Sequence, residues 1–360
     1  MPTTNLPNLP NLPNLQFMLA SLLGAEHANQ LSDLLQIPAS TLRPRADTVS
    51  RIEIAQALNM LLFEKLLKAV PQGNDYVQDS VRAGNKIRFD HGALRTVLGI
   101  STGALPPGEA AFTRILRPLG YQVNGIYPLE RISMTGRAYA HQDDPEEIAQ
   151  FFLSELHPHH FSNEFQATVN KVLSTSQDPI DAHSAQLLQQ LERDKTLPLT
   201  DALALLPVLL SCFDRQHALP SIAEYQTLLA ESAEMAWIST EGNAFNHATD
   251  RVPNVEQVAD AQRALGRAIK EKIEVSRNGR VRQTAFRAST VTRPMRDADG
   301  ALVEMQVPGS FYEFISRDRY LDQETQSEKL DLTFDSGNAQ GIFKMTASAA
   351  ASSSSSPSSC

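Results

Sequence analysis

The segment Lys86–Val97, KIRFDHGALRTV, constrains this chain more than any other, because it combines the two-residue period of a strand with a histidine and an arginine. If Ile87–Val97 is extended, Phe89, His91, Ala93 and Arg95 share one face, while Asp90, Gly92 and Leu94 share the other. An imidazole and a guanidinium then look into the same space, the first suited to a metal ion and the second to an anion. Strand histidines are also commonly packed or hydrogen-bonded, and most arginines serve surfaces, so the segment alone leaves both roles open.

Ahead of it, Gln16–Ile37 and Arg51–Val70 carry apolar residues at helical spacing. Residues 2–15 repeat Asn-Leu-Pro, whose prolines favour a mobile, extended arm. After it, the pattern predicts a helix over Gly108–Leu119 and a strand pair over Tyr121–Pro128 and Glu130–His141. A further helix is expected over Asp143–Leu156, with Asp143 or Asp144 as cap and Pro145 in the first turn. Residues 163–236 have helical spacing throughout. Ala236–Asp250, AWISTEGNAFNHATD, then resumes the first pattern with an apolar start, a Gly-Asn turn and a histidine. A helix over Val255–Ile273, a hairpin around Asn278 and Gly279, a tight turn at Asp297–Gly300 and a strand over Gly309–Arg317 follow. On that strand Phe311, Glu313 and Ile315 point one way. Beyond Gly341 the Ala- and Ser-rich composition predicts disorder. The chain thus divides into an arm (1–15), N-terminal helices with a first β module (16–160), a helical insertion (161–236), a second β module (237–342) and a low-complexity tail (343–360).

With 32 basic against 41 acidic residues and a net charge of −9, the chain repels phosphate backbones, and no nucleic-acid partner is expected. Its two cysteines, Cys212 and Cys360, make neither a disulfide framework nor a zinc spacing. No segment approaches the roughly 20 apolar residues needed to cross a bilayer, and no signal peptide is evident. A cytoplasmic protein without a membrane partner is the expectation; the oligomeric state is left open.

Two units of the order strand, helix, hairpin, strand suggest a duplicated module whose sheets enclose one cavity. His91 falls on the first unit, and His247 and Glu313 on the second. Two imidazoles and one carboxylate are the donor set of a non-haem iron(II) centre with open positions. The segment HPHHF, with His157, His159 and His160, is a poorer candidate, because Pro158 makes it irregular and no carboxylate stands at useful spacing. Periodicity alone does not single out three ligands from nine histidines and many glutamates.

The segments FDHGALRT, RAYAHQD with the following FFLSEL, STEGNAFNH, RQTAFRAS and VPGSFYEF resemble those of the bacterial 2-oxoadipate dioxygenase/decarboxylase family, also called hydroxyglutarate synthases. Together they span about Ile52 to Tyr320. The resemblance implies an α+β fold of the vicinal-oxygen-chelate type, with paired βαβββ modules around a central metal cavity. It implies Fe(2+) held by His91, His247 and Glu313, with Arg95 as catalytic and substrate-carboxylate arginine; the ligands, too, would stand against substrate. The implied reaction turns 2-oxoadipate and O2 into 2-hydroxyglutarate and CO2, in lysine catabolism. Longer members carry extra C-terminal sequence near the pocket mouth, so selectivity transfers less firmly than the ligands. The alternatives are a glyoxalase-like metal-dependent lyase or isomerase, and a non-catalytic binding protein on the same scaffold. Gln283, Arg287, Tyr139 and His141 are read mainly as structural, and Asp90 and Asn246 as possible supports of the neighbouring histidines.

Overall fold

A computed structural model describes residues 12–335 and residue 337. Most of the expected N-terminal arm and the expected disordered tail lie outside the described residues. Helices α1 (Asn14–Leu23) and α2 (Ala25–Leu34) replace the single helix expected over Gln16–Ile37. Gly24 parts them: its φ of 87° lies where glycine alone is comfortable, and helical hydrogen bonding cannot run through it. After β1 (Thr48–Ser50), Ser50 and Glu53 form a capping box that opens α3 (Arg51–Ala69). Only Lys65, Lys68 and Ala69 of this helix escape burial, as expected of one that runs through the core. Helix α4 (Pro71–Arg82) begins with the proline that a first turn tolerates.

The first module consists of β2 (Phe89–Val97), α5 (Ala110–Leu116), β3 (Tyr121–Leu129), β4 (Met134–His141) and β5 (Gln150–Leu156). The helix expected over Asp143–Leu156 does not form; its second half is β5. QFFLSEL is buried along its whole length and hydrogen-bonds to β2 on one side and β4 on the other. A strand covered on both faces loses its alternation, and a short apolar run then reads equally well as a helix face.

Helices α6 (Asn163–Leu173) and α7 (Ala182–Asp194), strand β6 (Thr196–Pro198), and helices α8 (Leu199–Ser211), α9 (Ile222–Glu231) and α10 (Ala233–Glu241) separate the modules. The β6 strand pairs with β1, so the insertion is tied to the N-terminal helices. The apolar start of AWISTEGNAFNHATD belongs to α10, and only its second half is strand. The second module is β7 (Phe245–Arg251), α11 (Val255–Ala264), β8 (Glu274–Val275) and β9 (Val281–Ala285), then a separate ribbon of β10 (Thr290–Arg296) and β11 (Leu302–Pro308), and finally β12 (Phe311–Arg317). Helix α11 stops short of Ile273 because Gly266, at φ 74°, turns the chain. A last ribbon pairs β13 (Arg319–Leu321) with β14 (Glu328–Leu330).

The main sheet runs β3-β4-β5-β2-β7-β12-β9-β8. Each module contributes four neighbours in the same order, and the two halves meet where β2 and β7 run antiparallel. The sheet curls into a half-barrel. Its convex side packs on α3 and α4, where the Phe63 ring lies 5.0 Å from Phe89 and the Tyr76 ring 4.7 Å from Phe314. At about 1.5–3 kcal/mol per large apolar side chain, such contacts fix β2 and β12 firmly. Tyr312 and Phe314 belong to this buried layer, away from Glu313, as strand alternation requires.

Candidate metal centre

Register decides which side chains meet on the concave side. His91 on β2 stands opposite Thr249 on β7, and Ala93 opposite His247. On the other flank of β7, Phe311 of β12 stands opposite His247, and Glu313 opposite Thr249. Cross-strand partners share a face, so three adjacent strands aim His91, His247, Thr249 and Glu313 into one space. His91 Nε2 lies 3.4 Å from His247 Nε2 and 3.5 Å from Glu313 Oε1. The Thr249 hydroxyl sits among them, 3.1 Å from His91 Nε2 and 3.2 Å from Glu313 Oε1.

The β2–β7 ladder shifts register at two places, and each shift serves a histidine. Asp90 is the extra residue between the pairs Phe89–Asp250 and His91–Thr249, and Asn246 the extra one between Ala93–His247 and Leu94–Phe245. A bulge re-aims the side chain at the extra position. Asp90 Oδ1 accepts from His91 Nδ1 at 2.8 Å, and the Asn246 amide meets His247 Nδ1 at 3.0 Å. The Asp90 contact fixes Nδ1–H on His91 and leaves its Nε2 as the free lone pair. On His247 it is the Asn246 amide nitrogen that faces Nδ1, and Asn246 Oδ1 has no hydrogen-bond partner among the described residues; a half-turn of that amide would bring the carbonyl to Nδ1–H and free His247 Nε2 in the same way. The first bulge also corrects the strict alternation read from the sequence: Phe89 leaves the His91 face and packs against Phe63 on the convex side.

Asp90 is fully buried, which alone would raise its pKa, but the Arg317 and Arg251 guanidiniums hold it well below the usual carboxylate range. Arg317 reaches it through Nη2 at 2.9 Å, and Arg251 through Nε at 2.6 Å. Burial lowers the His91 pKa against the pull of Asp90, and burial with the neighbouring His91 lowers that of His247 well below its ordinary value. Burial pushes Glu313 up to about 8. Near neutral pH the site therefore holds two neutral imidazoles and a carboxyl that ionises when a cation arrives.

These residues fit a metal ion. One ligand atom from each of His91, His247 and Glu313 lies within 4.8 Å of the others, all three side chains are buried, and Glu313 Oε2 makes no hydrogen bond among the described residues. Module symmetry explains why the set stops at three. Glu313 lies two residues past Phe311, the partner of His247; the matching place in the first module, two past Gln150, the partner of His91, is Phe152. No fourth protein ligand comes from that side, as an open catalytic site requires.

Arg95 lies on β2 opposite Ser154 of β5, fully buried, with its guanidinium carbon 4.8 Å above the Trp237 ring. Burial lowers its pKa to about 10, against the opposing effect of Glu234, so it stays charged at neutral pH. It does not line the small cavity beside the triad, although Ser154 does. Gln283, read as structural, lines that cavity, whereas Arg287 is exposed. Tyr139 is hydrogen-bonded to Glu109, and His141 to the Leu119 carbonyl, both away from the triad. Sequence reasoning missed Thr249, which its place two residues after His247 would have put on the ligand face. It also missed Phe152, Phe334 and Asp335 in the cavity wall.

The family model for 2-oxoadipate dioxygenase/decarboxylase matches residues 55–345. The chain belongs to that family. Among solved structures, a glyoxalase-superfamily protein from Ralstonia eutropha is 54% identical over 90% of this chain and 99% of its own, with a TM-score of 0.85. The hydroxyglutarate synthase of Oryza sativa in complex with 2-oxoadipate shares the fold at 17% identity, over 86% of this chain and 98% of its own, with a TM-score of 0.62. That of Pseudomonas putida with 2-oxoadipate does so at 19% identity, over 85% and 76%, with a TM-score of 0.55. No curated protein matches the chain. The 2-oxoadipate dioxygenase/decarboxylase family and the paired modules thus agree on fold class, and no helix among the described residues is long and apolar enough to cross a membrane.

Proposed function

We propose that the protein is an iron(II)-dependent dioxygenase and decarboxylase that converts 2-oxoadipate and O2 to 2-hydroxyglutarate and CO2, in the cytoplasm and in lysine breakdown. The observation that carries this reading is the meeting of His91, His247 and Glu313 on one face of three adjacent strands, with the open side next to Phe152. A ferrous ion held by these three residues would supply O2 activation and a docking point for the 2-oxo acid. Both atoms of O2 end in the hydroxy acid and the C1 carboxyl leaves as CO2, so no second 2-oxo acid is consumed.

The chain's own groups bind, orient and exclude water. Asp90 and Asn246 hold the imidazole rings by Nδ1. Glu313 gives up its proton on ion binding, which its raised pKa makes pH-dependent. Arg95, stacked on Trp237 at the far end of the same strand face, takes the distal carboxylate of the substrate through its planar fork. Phe152 and Phe334 keep the site apolar and dry.

The test is anaerobic loading with iron(II), addition of 2-oxoadipate and admission of air. The expected result is one O2 consumed and one CO2 released per 2-hydroxyglutarate formed. Turnover of a 2-oxo acid without O2 uptake would replace this reading with the glyoxalase-like one favoured by the name of the 54% identical structure.

A further inference from the structure

The cavity beside the triad has a volume of about 20 Å3, room for about one water. A six-carbon dicarboxylate cannot enter it as it stands, so part of its wall yields. Of ten lining residues, eight stand on β2, β5, β7, β9 and β12, locked into the ladders of one sheet. The other two, Phe334 and Asp335, belong to a segment outside any strand, just after β14. The Phe334 ring covers the ligand set: its centroid lies 4.8 Å from the His91 ring, 4.9 Å from Phe152 and 5.9 Å from Tyr127.

The segment is anchored at Asp331, whose N–H donates to the Asp318 carbonyl at 3.0 Å and whose carboxylate accepts from Asn278 Nδ2 at 3.0 Å and Arg280 Nε at 2.8 Å, while Asp335 Oδ2 accepts from the Arg277 N–H at 3.3 Å. Other ties run along its length. The Phe334 N–H donates to the Tyr127 hydroxyl at 3.0 Å. Arg317 Nη1 donates to the carbonyls of Asp331 and Thr333 at 2.9 and 2.8 Å, and the Gln150 amide donates to the Leu332 carbonyl at 3.3 Å. The Arg317 carbon also lies 4.8 Å over the Phe334 ring. Swinging out residues 332–335 about Asp331 costs Arg317 the Thr333 carbonyl and its contact with the Phe334 ring, Gln150 the Leu332 carbonyl and Arg277 its Asp335 contact, but leaves the Asp90 pair, and with it the His91 orientation, in place.

We propose that residues 332–335, swinging about the anchored Asp331, are the wall that opens to admit the 2-oxo acid, and that Phe334 determines what size of acid is admitted. This rests on the metal-centre reading above. Phe334→Ala removes the cover, and Tyr127→Phe removes only the hydroxyl that accepts the Phe334 N–H while keeping its ring contacts.

The test loads the apoprotein with cobalt(II) under nitrogen and follows chelator-driven release by the cobalt absorption bands, alongside backbone hydrogen exchange over residues 328–337. Phe334→Ala should release cobalt at least tenfold faster at unchanged equilibrium affinity, and Tyr127→Phe severalfold faster. Exchange over the segment should rise in both variants while β2, β7 and β12 stay protected. With iron, Phe334→Ala should also improve kcat/KM for the seven-carbon homologue at least tenfold relative to 2-oxoadipate. Equal release rates in wild type and both variants would overturn the proposal while leaving the metal centre standing. An unchanged chain-length preference in Phe334→Ala would overturn the selectivity half, and a wild type that takes up no cobalt would overturn the metal-centre reading and the proposal together.

Discussion

Replacing Asp90 by Asn tests whether one buried carboxylate both holds the sheet centre together and orients a ligand. Asp90 neutralises two guanidiniums, Arg251 at 2.6 Å and Arg317 at 2.9 Å, and accepts from His91 Nδ1 at 2.8 Å. Asn keeps the volume and one acceptor but removes the charge. Breaking a buried pair by deleting one partner costs about 3–5 kcal/mol, and with two cations stranded the upper end, about 5 kcal/mol, is expected. That is a large share of the roughly 5–15 kcal/mol that holds a domain together. The folded pKa of Asp90 is depressed below 3.8, so its contribution is fully present at neutral pH and is lost as pH falls through that lower value. The difference between wild type and variant should thus be flat near pH 7 and shrink only on strong acidification. Urea unfolding of the metal-free protein, followed through the buried Trp237, measures the stability loss; cobalt competition measures affinity, which should fall about 10–100-fold. Adding Arg251→Met should recover about 1–3 kcal/mol through coupling. A loss under about 1 kcal/mol, or unchanged cobalt affinity, would refute the reasoning.

Glu313, raised to about 8, should surrender close to one proton per metal ion bound at pH 7, while the two neutral histidines release none; calorimetry in buffers of different ionisation enthalpy counts it. The same raised pKa means that folded Glu313 holds a proton the unfolded chain has lost, so the metal-free stability of wild type relative to Glu313→Gln should fall as pH rises from about 4 to 8, the comparison cancelling the opposite slope of the buried neutral histidines. Gly92→Ala would put a Cβ 2.2 Å from the Phe245 ring and should cost at least about 1–3 kcal/mol in chemical denaturation. Arg95→Ala should raise KM for 2-oxoadipate about 10–100-fold, the worth of a charged hydrogen-bonded pair, and leave the bound cobalt content unchanged.

Much of this was legible in the sequence because period-2 alternation survives wherever one strand face is polar. His91, Ala93 and Arg95 on β2, and Glu313 flanked by Tyr312 and Phe314 on β12, stand as alternation dictates. Strand β5 was hidden because it is covered on both sides and its phenylalanines mimic a helix face. Phe89 was misplaced because a bulge at Asp90 leaves no local signature in the sequence. The same bulges supply the Asp90 and Asn246 contacts, so the position before each histidine was readable while its geometry was not. Phe334 and Asp335 gave no signal, since they reach the cavity through tertiary docking of a segment with no regular structure.

The most direct measurement is diffraction at the iron edge from crystals grown anaerobically with iron(II). The expected result is a single anomalous peak within bonding distance of His91 Nε2, His247 Nε2 and a Glu313 carboxylate oxygen. A peak elsewhere, or none at full iron loading of the solution, would contradict the metal centre on which the proposed chemistry stands.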